Sequence, residues 1–391
     1  MNPTTERLYT FQFFLLLLSN VLFSASFGMI LPELPAHLAS LGGEDYKGLI
    51  IGLFTLTAGI SRPISGKLTD LIGRVPIMII GSVVCVVCSL CYPFVTSVFG
   101  FLFLRLVHGF STGFKPTAST AYIGDIVPDL RRGEAMGVSS ISGNFGLSGG
   151  PILGSFLATA YSIDVMFYVS SAFAVISIII ILGMRETLPE KQPFRPGMLL
   201  LRRKELVLRK ALPPAVVTFF MYLPYGAILT IIPDQCDYLG IENKGMVYAS
   251  FTACSMLSRL VAGKVSDRYG RIPVIIVSSV AAALSLAALG FSGGALMLYI
   301  TIGLAGFALG IGGPALFAWT IDIAGLTERG KAMGTIFIFL EAAIGTGAVV
   351  SAWLYANDHQ NFSLAFLVTA GITALTIPFL GWYKTRLERT E

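Results

Sequence analysis

Residues Gly66–Ile79 read GKLTDLIGRVPIMI, and residues Gly263–Ile276 read GKVSDRYGRIPVII. Gly, Lys, Asp, Gly, Arg, Pro and the last Ile are identical, and most other positions exchange similar residues. The two stretches lie 197 residues apart, Gly66 to Gly263. At that same offset Ser61-Arg62 meets Ser258-Arg259, Asp125-Ile126 meets Asp322-Ile323, and Ala135-Met136-Gly137 meets Ala332-Met333-Gly334. An offset held without a gap from Ser61 to Gly137 marks a duplicated unit of about half the chain. Farther out, Gly28–Pro35 (GMILPELP) is similar to Gly226–Pro233 (GAILTIIP), one residue off the same register.

Each copy of this charged hairpin lies between strongly apolar segments, which places it outside the hydrocarbon of a bilayer. Both copies carry a Lys and Arg cluster, and such clusters favour the cytoplasmic face. An even number of crossings therefore separates them. The distance between the copies, at about 20 residues per helix, fits six crossings and so twelve for the chain.

Composition agrees. Mean hydropathy is +0.77, hydrophobic residues make up 54% and charged residues 13%, too apolar for a water-soluble domain with a single core. The fold class expected is an all-α membrane protein of two six-helix repeats. A net charge of +5 raises the question of nucleic acid, but the 27 Lys and Arg are explained otherwise. Lys47 and Lys244 fall on one side, Arg62, Arg105, Lys115 and Arg259 fall inside spans, and the rest fall on the opposite side. That asymmetry puts both termini in the cytoplasm and excludes a nucleic-acid role.

The first span, about Phe11–Leu38, is too long for a cleaved leader and has no convincing cleavage site, so it reads as a retained helix. Further spans follow at about Lys47–Leu68, Pro76–Val95, Val98–Ile126, Arg131–Ala160 and Asp164–Met184. Residues 185–212 then form a basic, proline-containing linker, with an interfacial helix expected at Met198–Lys210. The second six spans occupy about Pro213–Leu239, Lys244–Val265, Pro273–Phe291, Ala295–Ile323, Lys331–Ala356 and Phe362–Tyr383. The domain expectation is 1–184, a cytoplasmic linker at 185–212, and 213–391.

Charges inside the spans are the most specific local signal, because each costs about 2.5–3.5 kcal/mol at a helix centre and seldom faces lipid. Arg62 and Arg259 lie near the hairpins and can reach outward. Arg105, His108 and Lys115 lie deeper, and Arg105 and His108 are three apart on one helix face. Their repeat positions are Ile302, Ala305 and Gly312, so this charge belongs to one repeat. Glu341 is the one acid expected at mid-membrane, opposite Asn144 in the repeat. It reads as a proton carrier or, alternatively, as the fixed partner of Lys115 or Arg105. Glu33 and Asp234, near the far ends of spans one and seven, are weaker candidates for proton coupling or the substrate cavity.

Other features are bland. Cys85, Cys88 and Cys91 recur every three residues without an accompanying His or acid, so no metal and no cofactor is expected. Tyr222, Tyr225, Phe317 and Trp319 suit either an aromatic cavity or simple packing. Asn361-Phe362-Ser363 matches a glycosylation acceptor. There is no phosphate-binding GxxxxGK[ST] loop, nucleophile triad or HExxH.

The twice-repeated G-x-L/V-x-D-x-x-G-R hairpin resembles the loop signature of the major facilitator superfamily over essentially the whole chain. Leu104–Gly109 resembles its fourth-helix arginine motif, and Gly146–Gly154 (GLSGGPILG) resembles its fifth-helix antiporter motif. Pro32–Pro35 (PELP) suits the twelve-helix drug:proton antiporter branch. The family describes two six-helix halves with substrate held near the midplane between them. The resemblance implies a cytoplasmic gate: Gly66 and Gly73 permit close approach and a sharp turn, and Asp70 is placed to accept from a neighbouring helix N-terminus. It pairs Arg74 with Asp125, mirrored by Gly263, Asp267, Gly270, and Arg271 with Asp322. Leu71 departs from the pattern where Arg268 keeps it, so the two latches should differ in strength. The small residues Ser139, Gly143, Gly146, Gly150 and Gly154 give one face for tight packing, and Pro151 should loosen that helix. The equivalent face holds Leu340, Ala343, Gly347 and Ser351.

The function expected is a secondary transporter in the bacterial inner membrane that exports small organic molecules in exchange for protons. It would act by alternating access, not as an enzyme, with a small-molecule substrate, protons and the lipid bilayer as partners. A single chain closes its own path, so a monomer is expected. An importer of the same fold, a lipid flippase and a non-transporting sensor are the alternatives.

Overall fold

The computed structural model describes residues 9–127, 132–200, 207–324 and 329–388, and among them all regular structure is helical. Thr10 begins α1 (Phe11–Ile30), its hydroxyl accepting from Phe13 N at 3.2 Å. Pro32 and Pro35 then interrupt the first expected span, because neither can donate a backbone bond. A short α2 (Leu34–Ser40) completes it. The chain continues as α3 (Lys47–Leu71), α4 (Arg74–Cys91), α5 (Val98–Ile126), α6 (Arg132–Ala160) and α7 (Ile163–Leu182). Ser97 and Ser162 cap α5 and α7.

The second repeat supplies α8 (Leu212–Tyr238), α9 (Lys244–Tyr269), α10 (Arg271–Leu289), α11 (Ala295–Ala324), α12 (Arg329–Tyr355), α13 (Phe362–Ala374) and α14 (Thr376–Glu388). Among the described residues, nine spans are long and apolar enough to cross a membrane. Outside that set are α5, α6 and α9, which charge, glycine and serine make less apolar. Of the expected helix at Met198–Lys210, residues 201–206 lie outside the described residues. Pro196–Leu199 and Arg209–Ala211 are single 3-10 turns.

The chain forms two compact units, Met1–Leu31 with Thr57–Leu201, and Pro32–Leu56 with Arg202–Glu391. The division falls inside α3, so the segment Pro32–Leu56, first-repeat in sequence, packs in the second unit. In the first unit α1 packs on α6 and α7, and α4 packs on α5 and α7. The second unit repeats this scheme, with α8 on α12 and α13, and α10 on α11 and α13. The same pairings in the same order are what a duplicated bundle requires.

Candidate functional site

Both hairpins turn on a glycine with positive φ, Gly73 at 132° and Gly270 at 87°, a conformation that L side chains resist. The next residue is the arginine. Arg74 Nε lies 2.9 Å from Asp125 Oδ2, its Nη1 lies 3.3 Å from Asp70 Oδ1, and Nη1 also donates to Thr69 O at 2.7 Å. In the other copy Arg271 Nε is 3.2 Å from Asp322 Oδ2, Nη1 donates to Ser266 Oγ at 2.8 Å, and Asp267 pairs with the same guanidinium.

The N-terminus of α4 is met by a residue that carries no motif to mark it. Glu186, just beyond α7, accepts from Arg74 N at 3.0 Å and Val75 N at 3.1 Å, the first amides of α4. Its Oε1 also takes Thr187 N and Leu188 N. A carboxylate here meets both the orphan amides and the positive end of the helix. Thr187 Oγ1 donates to Asp125 Oδ2 at 2.6 Å, and Gln192 N donates to Leu71 O at 2.8 Å. The linker thus fastens onto the first latch. The N-cap residue of α10 is Gly270, as that of α4 is Gly73. Arg268, absent from the first copy, lies over the Tyr269 ring at 5.5 Å. Gly66 differs from the expectation of a tight contact, for the nearest atom to a Cβ added there would be Thr117 Cγ2 at 3.9 Å. Gly263 lies within α9.

The small-residue face of α6 lies on α1. A Cβ on Gly146, Gly150 or Gly154 would overlap the backbone at Val21–Ala25, Ala25 and Met29 respectively. Pro151 sits inside α6, its Cδ 3.3 Å from where a Cβ on Gly28 would be. The second repeat achieves the equivalent contact with Gly347 against Leu223 and Gly226 against Ile344 and Ala348.

Arg105, His108 and Lys115 are fully buried in the first unit. Arg105 Nη1 donates to Tyr92 OH at 3.4 Å, and Tyr92 OH lies 3.3 Å from His108 Nδ1. His108 Nε2 is 3.4 Å from Cys85 Sγ, which in turn meets Ser26 Oγ at 3.4 Å. Ser26, Ser170 and Ser89 continue the chain of hydroxyls. Lys115 stands apart: Nζ donates to Ser19 O at 2.8 Å, Ser19 Oγ at 2.9 Å and Ser177 Oγ at 2.7 Å, beneath the Phe23 ring at 4.4 Å. Cys85 thus takes part in a polar network, a role its periodicity alone did not suggest.

Glu33 and Asp234 are not merely solvated. Lys47 Nζ is 2.5 Å from Asp234 Oδ2, and Lys244 Nζ is 2.8 Å from Asp237 Oδ1 and 3.9 Å from Glu33 Oε2. Lys47 and Lys244 are each the first residue of α3 and α9 and occupy the same repeat position. Each pairs with an acid contributed by the other repeat, and all five groups lie in the second unit. That shared offset was the available signal. Glu341 is 7% exposed on α12, one turn before Gly345, which packs on Gly52 and Thr55 of α3. Of the four aromatic residues, Tyr225 meets Phe251, Phe317 meets Phe337, and Trp319 meets Tyr383. Among the described residues no group of His, Cys, Asp or Glu could hold a metal.

A sequence profile of the Major Facilitator Superfamily matches residues 16–234 and 214–391. The chain belongs to that superfamily. Multi-drug resistance efflux pump PmrA of Streptococcus pneumoniae is 28% identical over 278 residues, 66% of this chain and 68% of that protein. Multidrug resistance protein MdtG of Escherichia coli is 26% identical over 386 residues, 93% of this chain and 92% of that protein. Among solved structures, a peptide transporter POT has a TM-score of 0.81 at 14% identity, with 96% of this chain and 95% of that one covered. The human organic anion transporter MFSD10 has a TM-score of 0.72 at 19% identity, covering 96% and 100%. These likenesses fix the superfamily fold. The chain is a multi-pass membrane transporter and not an enzyme.

Proposed function

We propose that the chain is a secondary exporter of small, drug-like organic molecules driven by inward proton movement, working by alternating access as a monomer in a bacterial inner membrane. Both termini and both hairpins lie on the cytoplasmic side, as their Lys and Arg clusters favour. The N-terminal bundle is 1–184, the linker 185–212 and the C-terminal bundle 213–391. Relatives named as multidrug pumps support the substrate class.

The observation that carries the reading is that α3 and α9 hold ion pairs at both ends. At the hairpin ends Asp70–Arg74 and Asp267–Arg271 each stay inside one repeat, while at the other ends Lys47–Asp234 and Lys244–Glu33 join one repeat to the other. Charge pairs placed this way favour one arrangement over another, and a cycle of opening must break and remake them. Glu341 is the proton carrier of the second bundle, released inside and reloaded from outside. One charge moved inward through 100 mV supplies about 2.3 kcal/mol, enough for a gradient of some tens-fold per proton.

Ethidium efflux from cells expressing the chain, with and without a protonophore, tests the reading. Efflux abolished by the protonophore is expected, and lost in Glu341→Gln. Efflux indifferent to the protonophore would remove proton coupling, and dye accumulation would favour the importer.

A further inference from the structure

One face of α5 carries Arg105, His108, Ser111, Lys115, Ser119 and Tyr122, spaced three and four apart and all buried. The row is about 25 Å long at 1.5 Å per residue. At one end Tyr92, Phe101 and Phe167 cover it, with ring centroids 5.4 and 4.9 Å from that of Tyr92. At the hairpin end it reaches the surface: Gln12 Oε1 and Arg185 O each lie 2.9 Å from Tyr122 OH, and Arg185 is exposed. Between, Ser119 Oγ donates to Asn20 Oδ1 at 3.3 Å, beside the Ser19 that holds Lys115. The hydroxyls of Ser82 and Ser111 are buried with no hydrogen-bond partner among the described residues. At the repeat positions α11 has Ile302, Ala305, Ala308, Gly312, Leu316 and Trp319, so the bundle packs without any polar row.

Lys115 is 1% exposed, and no carboxylate lies within 4 Å of it among the described residues. Three oxygens and three ammonium protons match one to one. A buried charge facing a bundle interior marks a functional path more often than a packing device.

We propose that the α5 row is a proton path opening at the hairpin face, and that Lys115 is the station where the proton is held. On loading, the amine lone pair takes up one proton and becomes the ammonium bound to Ser19 and Ser177. On unloading, one N–H bond breaks, and the proton passes along hydroxyls toward Tyr122 and the surface, leaving an amine with two donors. The inference rests on the coupled-export reading but not on Glu341, which belongs to the other unit. The ionisable groups of the four helices around the row are Arg74, Cys85, Cys88 and Cys91 on α4, with Tyr92 following that helix, and Arg105, His108, Tyr122 and Asp125 on α5 beside Lys115 itself; at the hairpin end Asp125 and Glu186 face Tyr122. From α1 and α7 come serines, Asn20 and Phe23, since Asp164 and Tyr168 of α7 are exposed.

Arginine keeps the charge but does not release its proton, so Lys115→Arg separates a carrier from a structural cation. In detergent, the full chain titrated between about pH 6 and pH 9 with a fluorescent pH dye should exchange about one proton fewer in Lys115→Arg than in wild type. Lys115→Met serves as the second variant, and titrations equal to wild type overturn the proposal. In liposomes loaded with the same dye and given ethidium, protons moved per ethidium should fall roughly tenfold in Lys115→Arg and less in Tyr122→Phe. A coupled wild type with an equally coupled Lys115→Arg removes the Lys115 assignment alone. A wild type that moves ethidium without protons removes the coupled-export reading and this inference with it.

Discussion

Helices α5 and α11 occupy the same place in their repeats, yet their buried faces have opposite chemistry. Six positions that are polar in α5 are Ile302, Ala305, Ala308, Gly312, Leu316 and Trp319 in α11. The neighbours differ in the same sense: Cys85, Ser89 and Tyr92 of the first repeat answer to Ala282, Leu286 and Leu289. Since the apolar version closes an equivalent bundle, the polar version is not required for folding. It is kept at the expense of burying cations, which interiors tolerate only with full hydrogen bonding.

The strongest test of that comparison is to move the cation. Gly312→Lys would force a Cβ into the space of Met221 and Ser278 and bury a charge there. An unpaired buried charge costs about 3–5 kcal/mol, so the expected outcome is loss of folded protein in detergent gel filtration. The opposite exchange, Arg105→Ile with His108→Ala, removes polar groups in favour of those the other repeat uses. It should leave the thermal midpoint within a few degrees while abolishing proton-driven ethidium efflux. A folded and stable Gly312→Lys protein would show that the two interiors are interchangeable.

The far ends of α3 and α9 give the next largest effect. Lys47 holds Asp234 at 2.5 Å with both side chains about a tenth exposed, whereas Lys244 chiefly meets Asp237, whose side chain is 53% exposed. Lys47→Met leaves a nearly buried carboxylate without its cation and should cost about 3 kcal/mol. Lys244→Met leaves its main partner in water and should cost about 1 kcal/mol or less. Thermal unfolding of the two variants side by side gives the comparison, and equal losses would show that the repeat-related lysines are equivalent after all.

Much of this was legible in the sequence for a physical reason. A hairpin that must turn sharply and carry charge tolerates few substitutions, so Gly73, Arg74, Gly270 and Arg271 stand out, and the shared offset points to Asp125 and Asp322. Arg105 and Lys115 stand out because charges are rare inside spans. What stayed hidden has no local signature. The serines that hold Lys115 sit 96 and 62 residues away and look like ordinary small residues of apolar helices. Lys47 and Asp234 are 187 apart and come from different repeats. Glu186 lies in a linker whose charge reads simply as solvated.

Glu186 supplies the third test. It gives the first latch a carboxylate at the start of α4, whereas the position 197 residues on is Tyr383. Glu186→Gln keeps the size but removes the charge and one of two accepting oxygens, so the amides of Arg74 and Val75 are less well met. A cost of about 1–2 kcal/mol is expected, read as a lower thermal midpoint and faster proteolysis after Arg185. An unchanged midpoint would mean that the two hairpins are held equally well without the linker.

The smallest effect should come from the latch arginines themselves. A lysine at 74 or 271 keeps the charge but loses the planar fork that lets one guanidinium reach two acids and a backbone or serine oxygen. Both pairs are partly exposed, the side chains of Asp125 and Asp322 at 30% and 56%, so each substitution should cost less than about 1 kcal/mol. The loss should be larger at Arg74, because Asp125 is also held by Thr187 and the guanidinium also binds Thr69 O. If the latches merely anchor helix ends, Arg74→Lys and Arg271→Lys will shift stability slightly and leave ethidium efflux rates alone. If they set the balance between open and closed arrangements, efflux will change by more than stability does, since a shift of 1.4 kcal/mol already alters a population tenfold.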